Sequence, residues 1–291
     1  MTGLSWALLF AGLLLAVPSE ASTPESPVQR VGTLTADALD ESSGLAASTL
    51  HSGVFWTHND SGSGPVLFAV SATGEALGAV RVTGGSSRDW ESVASHDGSL
   101  YIGDIGNNAN RRRDLAVHLV PEPAVDAETV AVQTTVRFRY PDQTAFPPAA
   151  RNFDAEGLFH DGAHLYLLSK HRGDHQTTLY QFPAEAFATS REVVLTKLGL
   201  LDVGGEGAPF PGMVTGADLR GDGERLAVLT YHALLIFDRP EATGDWFSTL
   251  RRTVPFDPAQ TVQCEAVAWD GDDVVFTNEG RRVFRIRAPG R

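Results

Sequence analysis

One phrase recurs five times along the chain, and it limits the fold more than any other feature. A small or acidic residue is followed by Leu or Val, a turn rich in Gly and Asp, an apolar strand, a polar loop and a strand of alternating type. The copies begin at Ser42 ("SSGLAASTLHSGVFWTHNDSGSG"), Asp89 ("DWESVASHDGSLYIGDIGNN"), Asp154 ("DAEGLFHDGAHLYLLSKHRG"), Thr215 ("TGADLRGDGERLAVLTYHALL") and Cys264 ("CEAVAWDGDDVVFTNEG"). Between them lie "ALGAVRVTG", "TVAVQTTVRFRYP", "EVVLTKLGLLDV" and "DWFSTLRRTVPF". Short β-branched and aromatic runs bounded by Gly, Asp and Pro are strand and hairpin signals. No helical period of 3.6 is sustained after the first 21 residues. Each unit therefore reads as a four-stranded antiparallel blade, and internal repetition of this kind marks a solenoid or a propeller.

The fifth copy has only three strands before the chain ends, and "VQRVGTLTA" from Val28 offers the missing one. Pairing it into the last blade closes the ring and removes the exposed edges of an open array. The expected fold is all-β: a five-bladed β-propeller of four-stranded antiparallel blades, closed by the N-terminal strand. A six-bladed propeller is the alternative, because the intervals between the second, third and fourth copies run to about 60 residues and have room for extra strands. A β-sandwich would share the strand spacing but not the same acidic opening, turn and strand order five times over.

The first residues, "MTGLSWALLFAGLLLAVPSEAST", combine an apolar run over residues 6–17 with small residues at Ser19 and Ala21. This pattern reads as a secretory signal cleaved after Ala21, leaving residues 22–291 as one domain in a secreted or periplasmic protein. The run is too short for a comfortable span of about 20 residues. The lone Cys264 forms no internal disulfide, so an exported chain of this kind relies on its core; the thiol reads as a small buried apolar group. A formal net charge of −13 argues against nucleic acid or an anionic membrane surface as partner and is compatible with cation binding. The partner expected is a small molecule or a protein ligand at the channel rim of a monomer.

In a propeller the start of each innermost strand and the end of the second strand meet at one rim. The starts carry Asp89, Glu91, Asp154, Glu156, Thr215, Asp218 and Glu265; the ends carry His58, Asp60, Asn107, Asn108, Lys170, His171, Tyr231, His232 and Glu279. Hard oxygen donors gathered in this way suit Ca²⁺, with Glu91, Glu156 and Glu265 facing one another across the channel. Like charges so placed need a cation, a Lys or Arg, or wide solvent separation between them, and Lys170 or the run Arg111, Arg112 and Arg113 can supply the positive charge. Asp60, Asp89, Asn107, Asn108, Asp154, Lys170, His171 and Tyr231 are the candidate ligand-binding residues. His58 and His232 are the candidate general bases. The competing reading is that these acids and amides hold turns and strand ends. The two RGD tripeptides, at Arg172 and Arg220, read as turn chemistry, and the run over residues 204–212 as a loop able to reach over the channel. No G-x-S-x-G elbow or phosphate loop is present, which disfavours common α/β enzyme classes.

The phrases "ESSGLAAS", "DWESVA", "LYIGDIGNN", "FDAEGLF" and "VTGADLRGDGERLAVLTY" resemble secreted bacterial propellers of the esterase-like-phytase and SdiA-regulated families. They are more distantly similar to the gluconolactonase and paraoxonase type. The resemblance covers residues 39–287. It implies a channel Ca²⁺ held by Glu, Asn and Asp that polarises a lactone or phosphoester oxygen. Glu156 of the "EG" phrase then stands as the first-strand glutamate, and Glu91 and Glu265 match it within the chain. Asn59, Asp104 and Asn278 are the candidates for the remaining ligands. Three functions follow as expectations: a ligand-binding propeller with Ca²⁺, a Ca²⁺-dependent hydrolase of lactones or phosphoesters, and a protein-interaction scaffold. A phytase-like site lacks its lysine-rich pocket here.

Overall fold

The N-terminal strand β1 (Val28–Thr33) runs antiparallel to the last strand of the chain, from Val28 opposite Ile286 to Thr33 opposite Arg282. That pairing closes the ring in the computed structural model, which describes residues 26–189, 191–204, 212–241 and 244–290. Residues 1–21, read as a leader from the sequence, and most of the loop at residues 204–212 lie outside the described residues.

The first blade holds β2 (Ser42–Ala47), β3 (Val54–Asn59), β4 (Val66–Ser71) and β5 (Ala76–Thr83). The second holds β6 (Trp90–His96), β7 (Ser99–Asp104) and β8 (Ala116–Pro121), then β10 (Thr134–Arg139), because β9 (Thr129–Ala131) joins the edge of the first blade instead. The third holds β11 (Asp154–His160), β12 (Leu165–Lys170), β13 (Gln176–Gln181) and β15 (Thr196–Asp202), with β14 (Val193–Val194) lent to the second blade. β16 (Val214–Leu219), β17 (Arg225–Thr230), β18 (Ala233–Asp238) and β19 (Leu250–Pro255) form the fourth. β20 (Cys264–Asp270), β21 (Asp273–Asn278), β22 (Arg282–Ile286) and β1 form the fifth. The long intervals that left room for a sixth blade are taken up by β9, β14 and connecting loops. Two runs expected as single strands each divide: "TVAVQTTVRFRYP" into β9 and β10, and "EVVLTKLGLLDV" into β14 and β15. Each short parallel pairing covers an edge of the neighbouring blade.

Five apolar clusters fill the five gaps between blades. One joins the first and second blades through Trp56 and Trp90, and another joins the fifth to the first through Ala266 and Val275 against Leu45 and Phe55. The inner strands are buried on both faces, whereas β5 and β10 keep one alternating face in water and β19 is exposed over its first four residues. Ring closure is thus both a hydrogen-bonded pairing and a core, at roughly 1.5–3 kcal/mol for each large apolar side chain fully buried.

All five inner hairpins share one irregularity. The register between inner and second strand slips between Ser42 and Gly44, Trp90 and Ser92, Ala155 and Gly157, Val214 and Gly216, and Cys264 and Ala266. The residue left out of the ladder is Ser43, Glu91, Glu156, Thr215 or Glu265. A bulge bends the strand and re-aims the extra side chain. The residue after it is small in every blade, because inner strands approach closely there: a Cβ on Gly44 would lie 2.8 Å from the Val93 nitrogen.

Candidate functional site at the channel mouth

Four of the five bulged residues, Ser43, Glu91, Glu156 and Glu265, line a cavity of ≈ 210 Å³ to which every blade contributes. Asp60, Tyr231 and Glu279, each just past its second strand, and Lys170 at the end of β12 add to the same wall; the equivalent in the second blade is the core residue Ile105. Six carboxylates (Glu41, Asp60, Glu91, Glu156, Glu265 and Glu279) face this space against two basic groups, Lys170 and Arg172. The cavity therefore attracts cations and repels anions.

One side of it is internally neutralised. Lys170 Nζ donates to Glu156 Oε1 at 2.9 Å and to the Tyr231 hydroxyl at 3.1 Å, and lies 3.8 Å from Glu265 Oε2. Tyr231 donates in turn to Glu265 Oε1 at 2.9 Å. Burial works against the Lys170 ammonium, but Glu156 and Glu265 hold its pKa well above the usual lysine range. Burial also pushes Glu156 up to about 8 despite Lys170, with Asp154 and Glu265 adding to the rise. Glu265 is pushed to about 7 by burial, moderated by Lys170 and the Tyr231 hydrogen bond. One carboxylate is needed to balance the ammonium, and the second keeps its proton into the neutral range.

The other side is not neutralised. One carboxylate oxygen each from Asp60, Asp89 and Glu91 lies within 4.8 Å of the others. Among the described residues no Lys or Arg comes within ion-pair distance of any of the three. Burial raises Glu91 well above the usual carboxylate range, reinforced by Glu156, Asp60 and Asp154. Burial and the Asp60 charge raise Asp89 to about 6. Ser43 Oγ donates to Glu91 Oε2 at 3.0 Å. Gly106 leaves the room: a Cβ there would collide with the carboxylates of both Asp89 and Glu91. A hard divalent cation fits this donor set, since its charge would offset the burial and the carboxylate repulsion that together raise the Glu91 carboxyl.

The remaining sequence candidates are placed elsewhere. Asn59, Asp104 and Asn278 occupy equivalent second-strand ends, and their polar atoms clamp loops. Asn59 Oδ1 accepts from the amides of Asp40 and Glu41, and Asp104 accepts from the amides of Arg88 and Asp89 and pairs with Arg112 at 2.8 Å. Asn278 Nδ2 donates to the carbonyls of Thr261 and Val262 while its Oδ1 accepts from Arg282 N. None of the three reaches the cavity wall. Between Glu156 and Glu265, the position expected for Ca²⁺ is held by the Lys170 ammonium.

Asp154 is fully buried, accepts from Asn107 N at 2.7 Å and pairs with Arg172 at 2.9 Å. Arg172, read from sequence only as part of a tripeptide, is therefore a structural counter-ion at the mouth. Asn107 itself binds the Phe153 carbonyl and the Arg112 amide; Asn108 stays at the rim. His58 is completely buried, its Nδ1 donating to the Asn59 carbonyl and its ring set edge-on to Trp90, so it reaches no solvent. His171 is buried against Asp174 and Thr178, and His232 sits in the turn between β17 and β18, outside the cavity wall. Asp218 faces a separate cavity at the other end of the channel. The missed contributors are Gly106, Gln263 and Arg172. The small residue after each bulge was the available signal for the inward-facing ring.

The chain matches no family model and no curated protein. Similar solved structures include a glutaminyl cyclase from Myxococcus xanthus, at 14% identity over 89% of this chain and 95% of that one, with a TM-score of 0.52. A PQQ-bound aldose sugar dehydrogenase from Streptomyces coelicolor aligns at 13% identity over 89% and 97%, TM-score 0.47. A 6-phosphogluconolactonase-like protein from Bacteroides uniformis aligns at 13% identity over 84% and 66%, TM-score 0.42. At these identities the likeness establishes the fold alone. By fold and mouth geometry the protein is a five-bladed β-propeller with a polar, acid-lined axial cavity.

Proposed function

We propose that the protein binds a small ligand at the mouth of its channel together with a divalent cation of the Ca²⁺ type, held by Asp60, Asp89 and Glu91. The observation that supports this reading is that these three carboxylates converge without a basic partner among the described residues, whereas Asp104 has Arg112, Asp154 has Arg172, and Glu156 and Glu265 share Lys170. Because burial raises the Glu91 carboxyl, proton and cation compete for it, and affinity rises with pH. Export through the leader at residues 1–21 belongs to the same proposal. An affinity of roughly 10⁻⁴–10⁻³ M would suit an extracellular calcium module.

The test is thermal unfolding with titrated Ca²⁺. Binding to the native state stabilises it by about 2.7 kcal/mol at a hundredfold excess over Kd. That gain should vanish in Asp60→Asn and Glu91→Gln. No shift with Ca²⁺, Mg²⁺, Mn²⁺ or Zn²⁺ at millimolar concentration refutes the proposal.

A second reading, hydrolysis of a lactone or phosphoester, is supported by one feature. Asp89, with its carboxyl raised to about 6, belongs to the carboxylate trio and lines the adjoining open groove, where a general base for water would have to stand. Turnover of lactones or phosphomonoesters that survives both a chelator and Asp89→Asn would remove this reading.

A further inference from the structure

Beside the channel mouth lies an open groove of ≈ 700 Å³ whose wall includes Asp89, Asn108, Arg88, Arg111 and Arg113. Asn108 lines this groove and the axial cavity alike, and Asp89 belongs to the carboxylate trio, so the two spaces adjoin. The loop over residues 105–114 that builds the groove is fixed by buried polar groups. Arg112 donates to the Gly106 carbonyl at 2.9 Å and to Asp104 at 2.8 Å. Asn107 holds the Arg112 amide at 2.9 Å, and Asn110 holds the Phe153 amide at 2.8 Å.

This rigid platform leaves its two odd members outside. Arg111 and Arg113 are exposed and have no carboxylate within ion-pair distance among the described residues. The Arg113 guanidinium is held 3.7 Å above the centre of the Phe146 ring, which orients it before any ligand arrives. In a protein of formal charge −13 with an acid-lined channel, an anion finds little welcome elsewhere near the mouth. Guanidinium forks match the oxygens of carboxylate and phosphate.

We propose that Arg111 and Arg113 hold an anionic oxyanion group of the ligand, a carboxylate or a phosphate ester, next to the cation at Asp60, Asp89 and Glu91. The inference rests on the cation reading for its coupling, but the groove is tested independently. Cation and anion then bind cooperatively, each raising the affinity of the other by the same factor.

The experiment is calorimetric titration of the full chain with phenyl phosphate and, separately, benzoate, in Ca²⁺ and in chelator. At least one probe should bind, tighter with Ca²⁺, and Arg111→Gln/Arg113→Gln should weaken it roughly tenfold while leaving the affinity for Ca²⁺ alone unchanged. The probe that binds identifies the oxyanion. Absence of binding by both anions while Ca²⁺ itself binds overturns the inference, as does equal anion affinity in the double variant. If Ca²⁺ does not bind, the cation reading fails on its own, and the chelator arm still decides the groove: arginine-dependent binding keeps it and arginine-independent binding or none removes it. Should the double variant lose its melting transition, Arg111→Gln alone carries the test.

Discussion

Lys170→Met removes the ammonium shared by Glu156 and Glu265 and keeps a side chain of similar length. In the native protein Nζ lies 2.9 Å from Glu156 and 3.8 Å from Glu265, and the lysine side chain is 4% exposed. Removing one partner of a buried pair costs about 3–5 kcal/mol, because the charge left behind is uncompensated. The two carboxyls can escape that penalty only by protonating. Without Lys170 both would hold protons at neutral pH, one more than the native cluster, while the unfolded chain releases them near the ordinary 4.5. The folded variant then binds more protons than its unfolded form, so its stability falls as pH rises. Each extra proton contributes about 1.4 kcal/mol per pH unit. The expected deficit relative to the native protein is about 1 kcal/mol at pH 5, where neutral hydrogen bonds are the main loss, growing to about 5 kcal/mol at pH 8. Urea unfolding followed by tryptophan fluorescence at pH 5, 6, 7 and 8 measures it. Parallel stability curves, or a deficit below about 1 kcal/mol at pH 8, would show that the glutamates do not depend on Lys170.

Gly106→Ala should destroy cation-dependent stabilisation by displacing Asp89 and Glu91, at about 1–3 kcal/mol in the cation-free protein; a variant that still gains stability from Ca²⁺ would refute the trio. Asn278→Ala should lower stability by about 1–3 kcal/mol through its loop bonds and leave Ca²⁺ affinity intact. A weakened Ca²⁺ affinity would instead return Asn278 to the ligand set. Cys264 is buried, its thiol pushed far above the usual range by burial and donating to the Thr230 carbonyl at 3.2 Å. It should resist thiol reagents at pH 8 until the protein unfolds, and labelling at native urea concentrations would contradict that placement.

The propeller was legible because its evidence is repetition. Five copies of one pattern survive any misjudged strand boundary, and the unpaired strand at Val28 had only one place to go. The division of "TVAVQTTVRFRYP" into β9 and β10 was not legible, because both pieces carry the same alternation and only the neighbouring blade's open edge decides where each pairs. At the mouth, Glu91, Glu156, Glu265 and Lys170 could be picked out by their positions in the repeat. Asn59, Asp104 and Asn278 were ambiguous for a physical reason: an amide or carboxylate at a strand end is as well suited to receiving loop amides as to holding a metal. In sequence the two uses look alike. Only the bulge separates them, since it turns the inner-strand residue towards the axis and leaves the second-strand residue facing its own loop.

A ring of five equivalent positions becomes a site when its symmetry is broken, and the second blade breaks it. Glu156 finds its counter-ion at the end of the second strand of its own blade, at Lys170. The equivalent position in the second blade is Ile105, which is fully buried in the core shared with the third blade. Glu91 therefore has no internal ammonium, and the chain beyond Ile105 is free to turn away through Gly106 and build the arginine platform. The two asymmetries have one origin. A lysine after the second strand would neutralise Glu91 and fill the mouth; an isoleucine leaves Glu91 to Asp60 and Asp89 on one side and opens the arginine groove on the other. The acidic trio and the guanidiniums are consequently neighbours by construction, which is why a ligand carrying an oxyanion beside a cation suits this end of the channel better than either ion alone.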